Sequence, residues 1–219
     1  MRPETNAKTL FFILGLGSVL VQIILIRRLL STFHGNELTM GAVLAGWMVW
    51  TGSASLLTGR LTDKLAHGRS WLARSYILAA LLLSATVLFA PAVKPFLGQA
   101  RAEIIGPQVI LLGSFFITAP ICAILGLSFN LCCQVTADEK GAVARVYLWE
   151  ALGAGLGGLF FSMVLAGKSC VFAQSYLVMA LFFYGAFMAV PRKKQAWALA
   201  LAAILTAAFF IDPQAGLPA

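Results

Sequence analysis

Charged side chains are scarce in this sequence. Only 11% of its 219 residues are Asp, Glu, Lys or Arg, whereas 60% are hydrophobic. A soluble domain carries about a quarter charged residues, so the composition excludes that class and predicts an integral membrane protein. The net charge of +8 comes from small Lys and Arg clusters between apolar runs. Such clusters are typical of membrane topology rather than of a nucleic-acid-binding surface, and no nucleic-acid partner is predicted.

Recognisable catalytic and ligand motifs are also absent. The sequence contains no GxSxG, HExxH or Walker phosphate-binding loop. Four cysteines lie in or beside apolar segments without metal-ligand spacing, namely Cys122, Cys132, Cys133 and Cys170. We interpret them as reduced core residues rather than as a metal or disulfide site. We therefore predict no metal, no other cofactor and no catalytic residues. Enzymatic activity of this chain on its own is not expected, and a membrane enzyme is kept as a third possible function after the two given below.

Long apolar runs define the expected architecture, because a transmembrane helix needs about 20 apolar residues. Candidate spans cover residues 9–30, 38–57, 71–93, 107–135, 142–166, 171–190 and 196–211. The last run is short, so the sequence predicts six or seven transmembrane helices within one domain, residues 1–219. Prolines and glycines between positions 91 and 107 predict an external loop.

The Lys and Arg residues predict how the chain crosses the membrane. With the N-terminus inside, 11 of the 16 Lys and Arg residues fall on the inner side. The positive-inside rule then predicts a cytoplasmic N-terminus. The side on which the tail lies depends on whether the seventh run spans the membrane.

The basic loop after the second span is the sharpest local pattern. It reads Gly59-Arg-Leu-Thr-Asp-Lys-Leu-Ala-His-Gly-Arg69. Glycine lets the helix end at this point, Asp63 can accept hydrogen bonds from a helix N-terminus, and the cations hold the loop at the membrane surface. An ordinary inner-side loop would have the same composition, so a gating role and a plain surface role both stay open.

This loop resembles motif A of the major facilitator superfamily, with two additional residues between Asp63 and Gly68. A wider pattern adds Gln22, Arg27 and the glycine-rich run 147–158. Together they resemble the membrane region of bacterial proteins in which a facilitator-like domain is fused to a spermidine synthase. The resemblance covers about residues 10–190.

The resemblance implies a six-helix bundle like one half of a major facilitator, located in the bacterial inner membrane. It also implies a gating loop, whose residues here are Gly59, Asp63, Lys64 and Arg69. The aminopropyltransferase domain of the fused proteins does not appear in this sequence. The enzymatic activity of that family is therefore not carried over to this chain.

Glu150 is the acidic residue placed deep within a predicted span. It precedes Gly153 and Gly157 by three and seven residues, so its carboxyl shares the face on which another helix can approach closely. About eight residues into its span, it lies roughly 12 Å deep and must be paired, hydrated or protonated. Two roles stay open: a proton-coupling or cation-binding group, or a structural hydrogen bond to a residue such as Gln22. Similar close packing is predicted at Gly41 with Ala45 and at Ser55 with Gly59.

Gln22, Arg27 and Glu37 are the other candidate solute-binding residues. Gln22 lies about 13 residues into the first span, where an amide serves either as interhelical glue or as a ligand. Arg27 and Glu37 fall at the same outer level, which predicts an ion pair between them. The alternative role for these two is a gate for an anion or substrate at the external mouth.

Two function classes follow. The first is a module that binds or moves a small solute, such as the polyamine-like cation that the resemblance implies. It would work with a second copy or a partner chain, because six helices form only half of a facilitator cavity. The second is a non-catalytic membrane anchor or assembly subunit for a separately encoded synthase-like or redox enzyme.

Overall fold

The described part of the chain is helical without any strand in the computed structural model, which describes residues 3–35, 37–62, 68–96, 106–136 and 141–190. The helices are α1 (Pro3–Thr32), α2 (Leu38–Thr62), α3 (Gly68–Phe89), α4 (Val93–Phe96), α5 (Pro107–Val135), α6 (Ala142–Phe160) and α7 (Val171–Ala189). All except the single turn α4 contain a segment long and apolar enough to cross a membrane. The chain is therefore a multi-pass membrane protein with six candidate spans among these residues.

Six of the seven predicted spans correspond to these helices. The seventh, 196–211, lies outside the described residues. Helix α5 begins at residue 107 and ends at 135 as predicted, because Pro107 suits the first turn of a helix. The predicted helix end at Gly59 is wrong, since α2 continues to Thr62. One glycine costs a helix only about 1 kcal/mol, which neighbouring apolar residues offset.

Two segments depart from regular α-helix. The predicted external loop begins with a 3₁₀ turn over Ala90–Ala92 that leads into α4. The second irregular segment is a π-helical turn over Phe161–Leu165, which follows the end of α6. The buried side chain of Gln174 donates to the carbonyl oxygen of Leu165 at 3.3 Å and to that of Ser169 at 3.0 Å. Helix α7 thus holds the turn that ends α6.

The helices pack in a pattern that repeats between the two halves of the bundle. The most extensive contacts join α2 with α5 and α1 with α6, followed by α3 with α7, α3 with α5, and α1 with α7. Exchanging α1, α2 and α3 with α5, α6 and α7 converts the α1–α6 pair into α5–α2, and α3–α5 into α7–α1. The α3–α7 and α1–α5 pairs map onto themselves. Because successive spans alternate in direction, this is the contact pattern expected of two helix triplets with inverted topology.

Helices α1, α3 and α7 meet at a buried tyrosine. The Tyr76 hydroxyl donates a 2.7 Å hydrogen bond to the carbonyl oxygen of Leu10. Its ring centroid lies 5.8 Å from that of Phe182, and Gly185 leaves room for the ring. Both aromatic side chains are fully buried. A buried tyrosine normally needs a hydrogen-bond partner, so this contact fixes α3 against α1.

Glycines bring α1 and α6 into backbone contact. A Cβ added at Gly15 would collide with the carbonyl of Glu150, and one added at Gly153 would collide with the carbonyl of Phe12. A Cβ at Gly157 would lie 2.7 Å from a methyl carbon of Val19. The predicted close-packing face of α6 is therefore confirmed. Because lipid supplies no hydrophobic force between helices, such close contact is what holds membrane helices together.

The α2–α5 pair uses Gly46 and Gly126 rather than Gly41, while the predicted Ser55 and Gly59 do face Asn130 of α5. A Cβ at Gly126 would collide with the carbonyl of Thr51, and one at Gly46 would lie 3.3 Å from the Thr118 hydroxyl. Gly41 has open space around it and is exposed, as is Ala45, so close packing at Gly41 and Ala45 is wrong. Those residues lie on the side of α2 that faces away from α5.

We expect Gly153→Ala to destabilise the protein and the matched variant Gly155→Ala to leave it unchanged or slightly more stable. Both variants gain helix propensity, but only the added methyl at Gly153 meets the α1 backbone, whereas Gly155 has open space. Overpacking of this kind costs about 1–3 kcal/mol. Unfolding midpoints in detergent micelles measure the difference. Equal midpoints for the two variants would contradict the packing described for α1 and α6.

Candidate functional site

A polar groove of about 270 Å³ opens where the two closely packed helix pairs meet. All four helices contribute side chains to its wall. The lining residues are Ser18 of α1, Trp47, Thr51, Gly52 and Ser55 of α2, Leu125, Gly126 and Phe129 of α5, and Glu150 of α6. Most of these residues lie well inside their candidate spans, so the groove is placed at membrane depth.

Glu150 supplies the charge of this groove. Its backbone carbonyl rests against Gly15, and its side chain lines the groove beside Ser18 on the next turn of α1. The residue is half-buried and makes no hydrogen bond or ion pair with any other described residue. The predicted hydrogen bond to Gln22 is therefore not present. The carboxylate remains available to a ligand or a proton.

The hydroxyl groups of the groove direct their protons away from it. Ser18 donates to the carbonyl of Leu14 at 2.6 Å, and Thr51 donates to that of Trp47 at 2.6 Å. Ser55 donates to the side-chain oxygen of Asn130 at 3.2 Å. Each hydroxyl oxygen keeps lone pairs that can accept a further hydrogen bond.

Asn130 joins α5 to α2 directly behind the groove. Its amide nitrogen donates to the backbone carbonyl of Ser55 and, at 2.7 Å, to the Thr58 hydroxyl. Both amide functions are therefore used within the α2–α5 pair. Since Ser55 belongs to the lining, Asn130 is a positioning residue that fixes one wall of the groove.

Aromatic side chains form part of the wall. Trp47 and Phe129 line the groove, while Trp50 faces α5 and donates its indole N–H to the carbonyl of Phe115 at 2.9 Å. The indole N–H of Trp47 has no partner among the described residues. Aromatic faces of this type can contact the alkyl part of a solute or a cation.

The other predicted solute-binding residues lie elsewhere. Gln22, Arg27 and Glu37 do not line the groove. The predicted ion pair between Arg27 and Glu37 is not formed. The Arg27 guanidinium lies 5.6 Å from the ring centroid of Phe161, and Glu37 is exposed in the turn between α1 and α2.

Arg28, the neighbour of Arg27, has its own partners in the adjacent helices. Its Nε donates to the carbonyl of Val87 at 2.9 Å, and the guanidinium lies 5.1 Å from the ring centroid of Phe172. Nearby, Lys94 and His34 are joined at 2.8 Å between Nζ and Nε2. The contacts of Arg28 tie the end of α1 to α3 and α7, and the contact of His34 ties the turn after α1 to α4.

The predicted gating loop is described only at its two ends. A Cβ added at Gly59 would lie 4.0 Å from the amide nitrogen of Asn130. Arg69 is exposed in the first turn of α3. Gly68 lies close to the last turn of α5. Asp63 and Lys64 lie outside the described residues, so the gating role of this loop stays a prediction.

A second, larger cavity of about 420 Å³ lies between α3, α4 and α5. Its walls are apolar and include Phe89, Phe96 and Phe116. A solute site needs a few polar groups that fix orientation, which this cavity lacks. Among the described residues there is also no group of three or more His, Cys, Asp or Glu side chains that could hold a metal ion. The groove at Glu150 is therefore the candidate site.

Sequence reasoning missed Ser18, Trp47, Thr51 and Ser55 as lining residues. A signal was present, because Trp47, Thr51 and Ser55 recur every four residues along α2 and so share one face. Comparison of the chain with protein-family models, curated proteins and solved structures gave no match. We therefore infer the function from the chemistry of the groove.

Cysteine accessibility tests whether water reaches the groove. In a Cys170→Ser background, which removes the exposed native cysteine, we compare Gly52→Cys with Val49→Cys. Gly52 lines the groove and has open space, whereas Val49 is 49% exposed on the outer surface of the same helix. A thiol in lipid stays protonated and unreactive, so a charged thiosulfonate should modify Gly52→Cys at least roughly tenfold faster. Equal rates would mean that lipid fills the groove.

Proposed function

We propose that this chain is half of a facilitator-type transport bundle, in which Glu150 binds a small cationic solute or a coupling proton. The observation that carries the proposal is the carboxylate of Glu150 in the groove between the two helix pairs, without a partner among the described residues. A second copy or a partner chain completes the bundle. The polyamine-like cation implied by the family resemblance is also an ammonium cation, although it carries more than one positive charge.

The helix packing supports a facilitator-type half-bundle. The helix contacts keep the same pattern when the first three spans are exchanged with the last three, which is the pattern of inverted repeats. Transporters built from inverted repeats place substrate and ion sites near the membrane centre, at the interface of the repeats. The groove at Glu150 lies at this interface, because α1 and α2 come from one repeat and α5 and α6 from the other.

Electrostatics favour a cation over an anion. Glu150 is the charged residue of the lining. A unit charge 4 Å from the carboxylate interacts by about 4 kcal/mol at an effective dielectric constant of 20. A cation or a proton gains this interaction, whereas an anion is repelled. A carboxylate at membrane depth also requires such neutralisation, which makes it a functional group by default.

The exposed helices support completion by a second bundle. Helices α2 and α6 are the least buried of the candidate spans, and both contribute to the groove. Related positions in the two repeats are therefore open on the same side of the bundle. A second copy or partner chain seated against α2 and α6 would close the groove and separate its water from lipid.

Cation binding at Glu150 can be observed by infrared difference spectroscopy of the full chain reconstituted in lipid. Perfusion with sodium chloride or ethylammonium chloride at constant pH should change a carboxylate band, and a pH step at constant salt should change a carboxylic-acid band. We expect Glu150→Gln to lose completely either the cation-dependent carboxylate band or the pH-dependent carboxylic-acid band. Glu150→Asp should keep it in weakened form, because the charge is retained but displaced by about one methylene.

Gly155→Ala serves as the control, since this exposed position of α6 lies outside the groove and has open space. Its difference spectra should match those of the unmodified chain. Identical spectra for all variants, under both the cation and the pH step, would remove Glu150 from the function. The anchor or assembly role would then be the better description of the chain.

A further inference from the structure

We infer that the groove at Glu150 selects a protonated amine that carries a single positive charge and donates N–H hydrogen bonds. This inference rests on the proposed function and names the substrate class of the same site. It comes from the hydrogen-bonding state of the lining residues. A diamine, a quaternary ammonium ion and an inorganic cation are all cations too, but they suit this lining less well.

The lining is rich in acceptors and poor in donors. The protons of Ser18, Thr51 and Ser55 are all directed to acceptors within the helices. The amide protons of Asn130 are also used, by Ser55 and Thr58. What remains in the lining is hydroxyl lone pairs, the carboxylate of Glu150 and one donor that is unpaired among the described residues, the indole N–H of Trp47.

An ammonium group with two or three N–H bonds matches these acceptors. One N–H can donate to the carboxylate while the others reach hydroxyl oxygens, so each charged donor forms a charge-assisted hydrogen bond. A quaternary ammonium ion has the charge but no donor. A carboxylate solute would bring oxygen atoms against oxygen atoms, with the indole N–H of Trp47 as the donor that remains. An alcohol has one O–H donor but no charge, so it forms no charge-assisted hydrogen bond of its own.

The count of charges limits the solute to a monocation within this chain's groove. Glu150 balances one positive charge, and the remaining wall includes the apolar side chains of Leu125 and Phe129. The second ammonium of a diamine would lie against these groups without a counter-charge, which is costly at membrane depth. A groove of about 270 Å³ also lies below the usual range of drug-sized sites, so the solute is small.

The test is equilibrium binding of labelled propylammonium to the full chain in lipid nanodiscs, with unlabelled competitors. The competitors are trimethylpropylammonium, which lacks N–H donors, 1,3-diaminopropane, which carries two charges, and sodium. We expect propylammonium to bind at least about tenfold more tightly than each of them, equivalent to about 1.4 kcal/mol. Glu150→Gln should abolish the binding.

Hydroxyl variants test the acceptor lining directly. Ser18→Ala removes a groove oxygen, whereas Ser162→Ala removes a serine with the same type of bond, to the carbonyl four residues earlier, outside the groove. We expect Ser18→Ala, but not Ser162→Ala, to reduce the preference for propylammonium over trimethylpropylammonium several-fold. Both serines donate to a carbonyl of their own helical segment, so neither variant removes a hydrogen bond between helices.

The outcomes separate this inference from the proposed function. If trimethylpropylammonium, the diamine or sodium binds as tightly as propylammonium and needs Glu150, the selectivity is overturned while the cation site stands. If propylammonium shows no binding but protonation of Glu150 is seen by infrared spectroscopy, the substrate class is again overturned. If neither any cation nor a proton involves Glu150, the proposed function falls and the inference falls with it.

Discussion

Contact between the backbones of α1 and α6 is the constraint on which the groove depends. Gly15 lets the carbonyl of Glu150 rest on α1, and Gly153 lets α6 accept the backbone of Phe12. With ordinary side chains at these positions the helices would separate by several ångströms, and Glu150 would move away from Ser18. Since helices in lipid gain no hydrophobic attraction from one another, this contact must come from packing itself.

The polar residues of the bundle follow from the same constraint. Lipid offers no water to satisfy a hydrogen-bond donor. Ser18 and Thr51 therefore donate to carbonyl oxygens of their own helices, and Asn130 donates its amide protons to α2. Glu150 differs from these groups because a carboxylate has no proton to return. Among the described residues no side chain neutralises it, so the hydrogen bonding that satisfies the hydroxyls does not extend to the acid.

The elements that could be predicted are those set locally. Pro107 marks the first turn of α5, so the bounds of α5 were predicted to the residue, and the spacing of Glu150, Gly153 and Gly157 predicted one packed face. Which helix fills that face is a non-local property, and hence Ser18 and Trp47 were missed. Arg27 shows the same limit, since its contact with Phe161 depends on where α6 ends and not on its distance from Glu37.

Inverted pairing of the helices gives the groove a particular asymmetry. The α2–α5 pair contributes two hydroxyls and the aromatic rings, whereas the related α1–α6 pair contributes the carboxylate and the Ser18 hydroxyl. Related backbones therefore carry unlike chemistry on the two sides of one groove. A bound cation would attract α6 through its charge and α2 through hydrogen bonds, so it would draw the two repeats together. Removal of the cation would weaken both attractions at once, which is the condition that a transport bundle needs in order to move one repeat against the other.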